Sequence, residues 1–125
     1  MSAPPIDLIL ATSASRTTDP TLTPASFTAS VPGDGVAVVV DVTNAGTGSI
    51  TANIEGYDPA SNKWYTILAG AAIVSAVTNV YMVYPGIADV ANSRSGLTLP
   101  RVWRVRIVHN NANAITYTVG ASLLP

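Results

Sequence analysis

An all-β fold, an antiparallel β-sandwich of about eight strands with either jelly-roll or immunoglobulin-like connections, is predicted by three observations. Short runs rich in Val, Ile, Thr and Tyr alternate apolar with polar residues at a period of two. Turn signals separate these runs at intervals of roughly 8 to 12 residues. No stretch carries an amphipathic helical repeat longer than a turn or two, which disfavours a βαβ arrangement. The 125 residues fit a single domain spanning 1–125. Such a chain is long enough to bury a core without a covalent staple. It contains no cysteine, so disulfide frameworks and thiolate metal sites are excluded.

The first run, residues 6–15, sets Ile6, Leu8 and Leu10 against Asp7, Ile9 and Ala11, a strand with two partly covered faces. Residues 12–30 are dominated by Ser, Thr, Ala and Pro. Pro20 and Pro24 lack the amide donor a ladder needs, so an extended arm or long loop is expected there. Pro32, Gly33, Asp34 and Gly35 form a turn signal. In residues 36–43, Val36, Val38, Val40 and Val42 share one face and Ala37, Val39 and Asp41 the other. That near-continuous apolar character predicts a central strand covered on both sides.

A glycine-rich turn at 44–48 leads to a strand over 49–57, with Ile50, Ala52 and Ile54 inward and Thr51, Asn53 and Glu55 outward. Asp58, Pro59, Ala60, Ser61 and Asn62 read as a hairpin into a strand over 63–68, on which Trp64 and Tyr65 point to opposite faces. Two short strands are expected over 72–76 and 79–84, the second stopped by Pro85-Gly86. Residues 87–99 read as an irregular excursion with room for one helical turn. Beyond Pro100, Trp103, Val105 and Ile107 alternate with Arg104 and Arg106. After a turn at 110–113, Ile115, Tyr117, Val119, Ala121 and Leu123 face inward on the last strand.

Composition narrows the function. Only 10% of residues are charged, against about 25% in an ordinary soluble domain, while 48% are hydrophobic and the net charge is -1. Little electrostatic repulsion keeps copies apart, so a homo-oligomer is expected. The charge balance offers no basic stripe for nucleic acid. The opening residues lack a basic stretch and carry Asp7 inside their short apolar run, so no secretory signal is expected. Residues 67–77, the longest weakly polar stretch, are about half the length needed to cross a bilayer, and no membrane partner is expected.

The residues supply no convincing catalytic set. His109 is the single histidine and has no nucleophile or orienting carboxylate near it in sequence, so it reads as a turn or interface residue. Carboxylates at Asp34 and Asp58 do not follow the spacing of a calcium loop. Glu55 is the single glutamate and falls on a face read as solvated or interfacial, so a two-carboxylate glycosidase is disfavoured. No enzyme activity, cofactor or metal is expected. Tyr57, Trp64 and Tyr65 flank the 58–62 hairpin and are the candidate contacts for a protein or a glycan, because flat rings stack on sugars and anchor interfaces. Arg104 and Arg106, with Glu55, are the candidate polar contacts between subunits. The arginines could instead pair with acidic residues on a neighbouring strand.

Four motifs carry a resemblance. They are the hairpin E-G-x-D-P-x-S-x-K-x-Y from Glu55 to Tyr65, the stop Y-P-G from Tyr84 to Gly86, the strand L-P-R-x-W-R-V-R from Leu99 to Arg106, and the closing T-Y-x-V-G-A-S-L from Thr116 to Leu123. Together they resemble a group of small structural proteins of tailed bacteriophages and prophages, over about the C-terminal three-quarters of the chain. The resemblance implies a virion protein made in the host bacterial cytoplasm, most like a capsid decoration (cement) protein on the exterior of the head. Its implied partner is the major capsid protein, and its implied role is to stabilise the shell by bridging capsid subunits, as a homo-oligomer with a trimer favoured. It brings no active site to carry over. Two other readings stay open: a host-surface or glycan-binding module of a head fibre or tail, and a head-tail connector or tail-tube subunit.

Overall fold

The computed structural model describes residues 6–22 and 34–124. Nine strands lie in two sheets: β1 (Ile6–Arg16), β2 (Thr21–Leu22), β3 (Gly35–Asn44), β4 (Ile50–Asp58), β5 (Lys63–Ala69), β6 (Thr78–Val83), β7 (Arg94–Ser95), β8 (Trp103–His109) and β9 (Ile115–Leu124). The five-stranded sheet has the order β1-β9-β3-β6-β7 and the four-stranded sheet β2-β8-β4-β5. Every named pairing is antiparallel except β6 with the two-residue β7. No helix occurs among the described residues.

The chain is therefore an all-β sandwich. The connections choose between the two expected styles: the first strand pairs with the last, and β1, β2, β3 and β4 alternate between sheets. That wrapping is a jelly roll, since an immunoglobulin-like domain would keep its first two strands side by side in one sheet.

Alternation places the core between the sheets. Val36, Val38, Val40 and Val42 from β3, with Tyr117, Val119, Ala121 and Leu123 from β9, meet Ile50, Ala52 and Ile54 from β4 and Trp103, Val105 and Ile107 from β8. The residues expected inward on these strands are buried. Two inner faces supplying side chains to one layer about 10 Å thick is the packing of an aligned sandwich.

Several expectations are corrected. Part of the 12–30 segment read as an arm or loop is strand: β1 runs on to Arg16, and Thr21–Leu22 pair with β8 through Arg106 and Val105. Ser and Thr suit an edge strand whose outer side meets water, so a polar composition did not prevent pairing. Residues 23–30 lie outside the described residues. Along β1 the pairing with β9 shifts between Ile9 and Ala11, which turns Ala11 into the core instead of leaving it on the face of Asp7 and Ile9. Bulges of this kind blunt a long edge.

The strand expected over 72–76 reduces to a single bridge between Ile73 and Ile50, because this segment crosses from one sheet to the other and meets β4 at one rung. In 87–99 the chain forms turns and the short β7 in place of a helical turn, with Asn92 at positive φ. β3 does lie at the centre of its sheet, yet its Ala37–Val39–Asp41 face is not covered by any described part of the chain.

Candidate functional site

The hairpin joining β4 to β5 is held by its own polar groups. The Asp58 carboxylate accepts the Ala60 amide at 3.1 Å and the Ser61 hydroxyl at 2.7 Å, closing the turn as an Asx motif. Donation by Ser61, then by Ala60, favours the ionised carboxylate and lowers its pKa. Asn62 takes the left-handed conformation at φ 57, which an asparagine tolerates, and accepts the Tyr57 hydroxyl at 2.8 Å. One end of the aromatic pair is thereby tied to the turn.

On the outer face of the four-stranded sheet, pairing registers bring the candidates together. Tyr57 is opposite Trp64, and Glu55 is opposite both Arg104 and Thr66. The Tyr57 and Trp64 rings lie 5.1 Å apart at 59°. The Arg104 guanidinium sits 4.2 Å from the Trp64 ring centre and donates from Nε to Glu55 Oε1 at 2.6 Å. A planar guanidinium can stack on a ring and bond a carboxylate at its edge at once, so Arg104 joins the two halves of the cluster.

Glu55 is consequently not on a solvated face. It is only 7% exposed, covered by neighbouring side chains of its own sheet. Arg104 takes the neighbouring-strand alternative. Arg106 lies one row further along β8, opposite Asn53 and Thr21, exposed and without an ion pair among the described residues.

Tyr65 points the other way. Its ring lies over Gly56, where a Cβ would come within 2.7 Å of Tyr65 Cζ and 2.6 Å of Pro100 Cγ. Glycine is needed there to let the ring down against the sheet. Tyr65 remains 44% exposed at the sheet edge. Tyr57, Trp64 and Tyr65 together line an open groove of about 610 Å³ with Asp58, Pro59, Ser61 and Lys63. All three aromatic candidates thus share one surface feature, although one face of Trp64 is already occupied by Arg104.

A second cluster lies at the other end of β8 and was not legible as a unit. His109 Nε2 is 2.9 Å from the Tyr117 hydroxyl, and the His109 amide donates to Asp19 at 2.6 Å. Arg16 stacks 4.9 Å from the Tyr117 ring centre and donates to the Tyr117 carbonyl at 3.0 Å. His109 Nδ1 is buried without a hydrogen-bond partner among the described residues. Desolvation lowers the His109 pKa, partly offset by the Asp19 carboxylate, and raises the Tyr117 hydroxyl to about 12. The group holds a neutral imidazole against a protonated phenol and so ties β1 and the 17–20 turn to β8 and β9. The single signal for it in sequence was that the lone histidine ends a strand. Among the described residues no three His, Cys, Asp or Glu side chains gather to hold a metal.

No protein-family model matches the chain, and no curated protein matches it. Among solved structures, the crystal structure of the Yersinia pseudotuberculosis-derived mitogen is similar across 96% of this chain and 88% of that chain, with 13% sequence identity and a TM-score of 0.48. Similarity at that level carries no argument about function.

Proposed function

We propose that the protein is a non-enzymatic capsid decoration protein that binds the outside of an assembled phage head and stabilises it by bridging subunits of the major capsid protein. The observation that carries this reading is the hairpin groove. Tyr, Trp and Arg are the side chains most enriched where protein interfaces concentrate their energy. Here Tyr57, Trp64 and Arg104 are locked in place by the Asn62 and Glu55 bonds before any partner arrives. Pre-ordering of this kind reduces the entropy lost on docking. The four sequence motifs and the low charge content support the same reading. Stabilisation would follow from mass action, since a protein that binds only the assembled shell lowers the free energy of that state. Self-association belongs to this reading.

The test is a binding and imaging experiment. Purified protein is mixed with phage heads lacking it and imaged by electron cryomicroscopy. Regular density on the outer shell surface, lost in the Tyr65→Ser variant, supports the proposal; density confined to the tail, or none, rejects it. The groove also gives a second reading a specific basis, because Tyr65 offers a partly open ring beside polar hairpin groups suited to a sugar. Binding on a glycan array that is abolished by Tyr65→Ser, without shell binding, selects that reading instead.

A further inference from the structure

The outer face of the five-stranded sheet carries two adjacent rows that no described part of the chain covers. Strand registers define them. One row runs Asp7, Ser122, Ala37, Met82, Arg94 from the β1 edge to the β7 edge. The next runs Ile9, Gly120, Val39, Val80. Ile9 is 82% exposed, Val80 54% and Val39 37%.

We infer that this face binds a second copy of the same chain, face to face, about a two-fold axis running along β3. The pattern of the rows selects that occupant. A two-fold parallel to the central strand exchanges the two edges of the sheet, so each Asp7 faces the partner's Arg94 and each Arg94 faces the partner's Asp7. The same operation sets each Val80 opposite the partner's Gly120 and Val39 against its own copy. At the next row it turns the two Asp41 carboxylates toward each other, each accepting the Thr78 hydroxyl of its own chain at 2.9 Å, so the close contact is confined to the two rows before it.

Charge supports the exchange. Asp7 and Arg94 close opposite ends of one row, separated by four strand spacings or roughly 19 Å, so they cannot pair within a chain. Asp7 accepts the Ser122 hydroxyl on Oδ1 at 2.6 Å, leaving Oδ2 for a further donor. Arg94 has no ion-pair partner among the described residues. Sheets packed face to face stand about 10 Å apart, a gap that an aspartate and an arginine reaching toward each other can bridge.

Shape supports it as well. Gly56 is a glycine because its own chain leaves no room for a Cβ, whereas a Cβ at Gly120 would meet nothing nearer than the Leu8 carbonyl oxygen at 3.7 Å. Packing within the chain does not require glycine at 120. The missing side chain makes a notch between Ile9 and Val39, and the protruding Val80 of a second copy fills it. Two-fold pairing makes both contacts twice and closes the assembly. The face is small, so the dimer belongs at the weak end of stable interfaces. Shell binding plays no part in this inference.

Sedimentation equilibrium on the full chain over a range of concentrations tests it, with circular dichroism as a check of folding. The expected result is a monomer–dimer equilibrium. Asp7→Arg or Arg94→Asp alone places like charges opposite each other and raises the dissociation constant about tenfold or more. The double variant D7R/R94D brings it back to within about threefold of the parent. Recovery cannot arise inside one chain, because the two side chains stand at opposite edges. A single species at all concentrations, a trimer, or a dimer indifferent to the single exchanges overturns the inference. So does a double variant no better than the singles. If the single exchanges weaken shell binding and leave self-association unchanged, the face belongs to another protein and the inference also falls.

Discussion

The two outer faces of the sandwich are built on opposite terms. On the four-stranded sheet, Glu55, Arg104, Trp64 and Tyr57 satisfy one another, and the carboxylate is buried beneath side chains of its own chain. On the five-stranded sheet, Ile9, Val39 and Val80 stand in the open, and the charged residues in the adjacent row lie too far apart to meet. One face is held rigid by contacts within the chain, so substitutions there register first in folding stability even though the groove beside it is the proposed docking site. The other is left unpartnered, and its residues register in self-association. Substitutions on the two faces should therefore report through different measurements.

The largest expected effect tests the finished face. Glu55→Ala strands a partly buried guanidinium and should cost about 3 kcal/mol of folding stability in urea denaturation. Val80→Asp on the open face should change the stability of the monomer by less than about 0.5 kcal/mol. Equal losses would erase the distinction between the faces. Gly56→Ala comes next: its new methyl group meets Tyr65 and Pro100, with an expected cost of about 2 kcal/mol. Gly120→Ala, with open space above it, should be close to neutral in the same assay.

A double-mutant cycle of Arg104→Met with Trp64→Leu should give a coupling of about 1 kcal/mol, the size of a stacked cation on an indole ring. A coupling of zero would mean that the ring contact adds nothing beyond the ion pair.

The smallest effect lies away from both faces. The His109 pKa is lower in the folded chain than its ordinary 6.5, so the unfolded chain binds the extra proton more readily. The stability from this group is complete above pH 6.5 and is lost as pH falls through and below that value. Asp58 has a lowered carboxylate pKa, and its contribution is lost only at more acidic pH, below 3.8. A melting temperature that drops between neutral and mildly acidic pH in the parent, and drops less in His109→Gln, is the expected record. Identical pH profiles for the two proteins would remove His109 from the account.

Much of this architecture was legible along the chain. Alternation assigned the inward residues of β3, β4, β8 and β9, and proline and asparagine located the hairpin at 58–62. These are local properties: a period of two says which side chains share a face, and turn chemistry says where the chain reverses. The short strand at 21–22 was hidden inside the expected arm, because composition cannot reveal which strand a polar segment lies beside. Glu55 was placed on a solvated or interfacial face because its cover comes from Arg104 on β8 and from Trp64 and Thr66 on β5.

The sequence by itself determined that the protein is all β, where its longer strands begin and end to within a few residues, and which side of β3, β4, β8 and β9 is greasy. Tertiary structure alone decided that β1 closes against β9, that Arg104 reaches Glu55 and Trp64, and that the outer face of the five-stranded sheet stays open. The physical reason is that pairing partners are chosen by burial summed over whole strands far apart in the chain, whereas the pattern within a strand records only its own two sides.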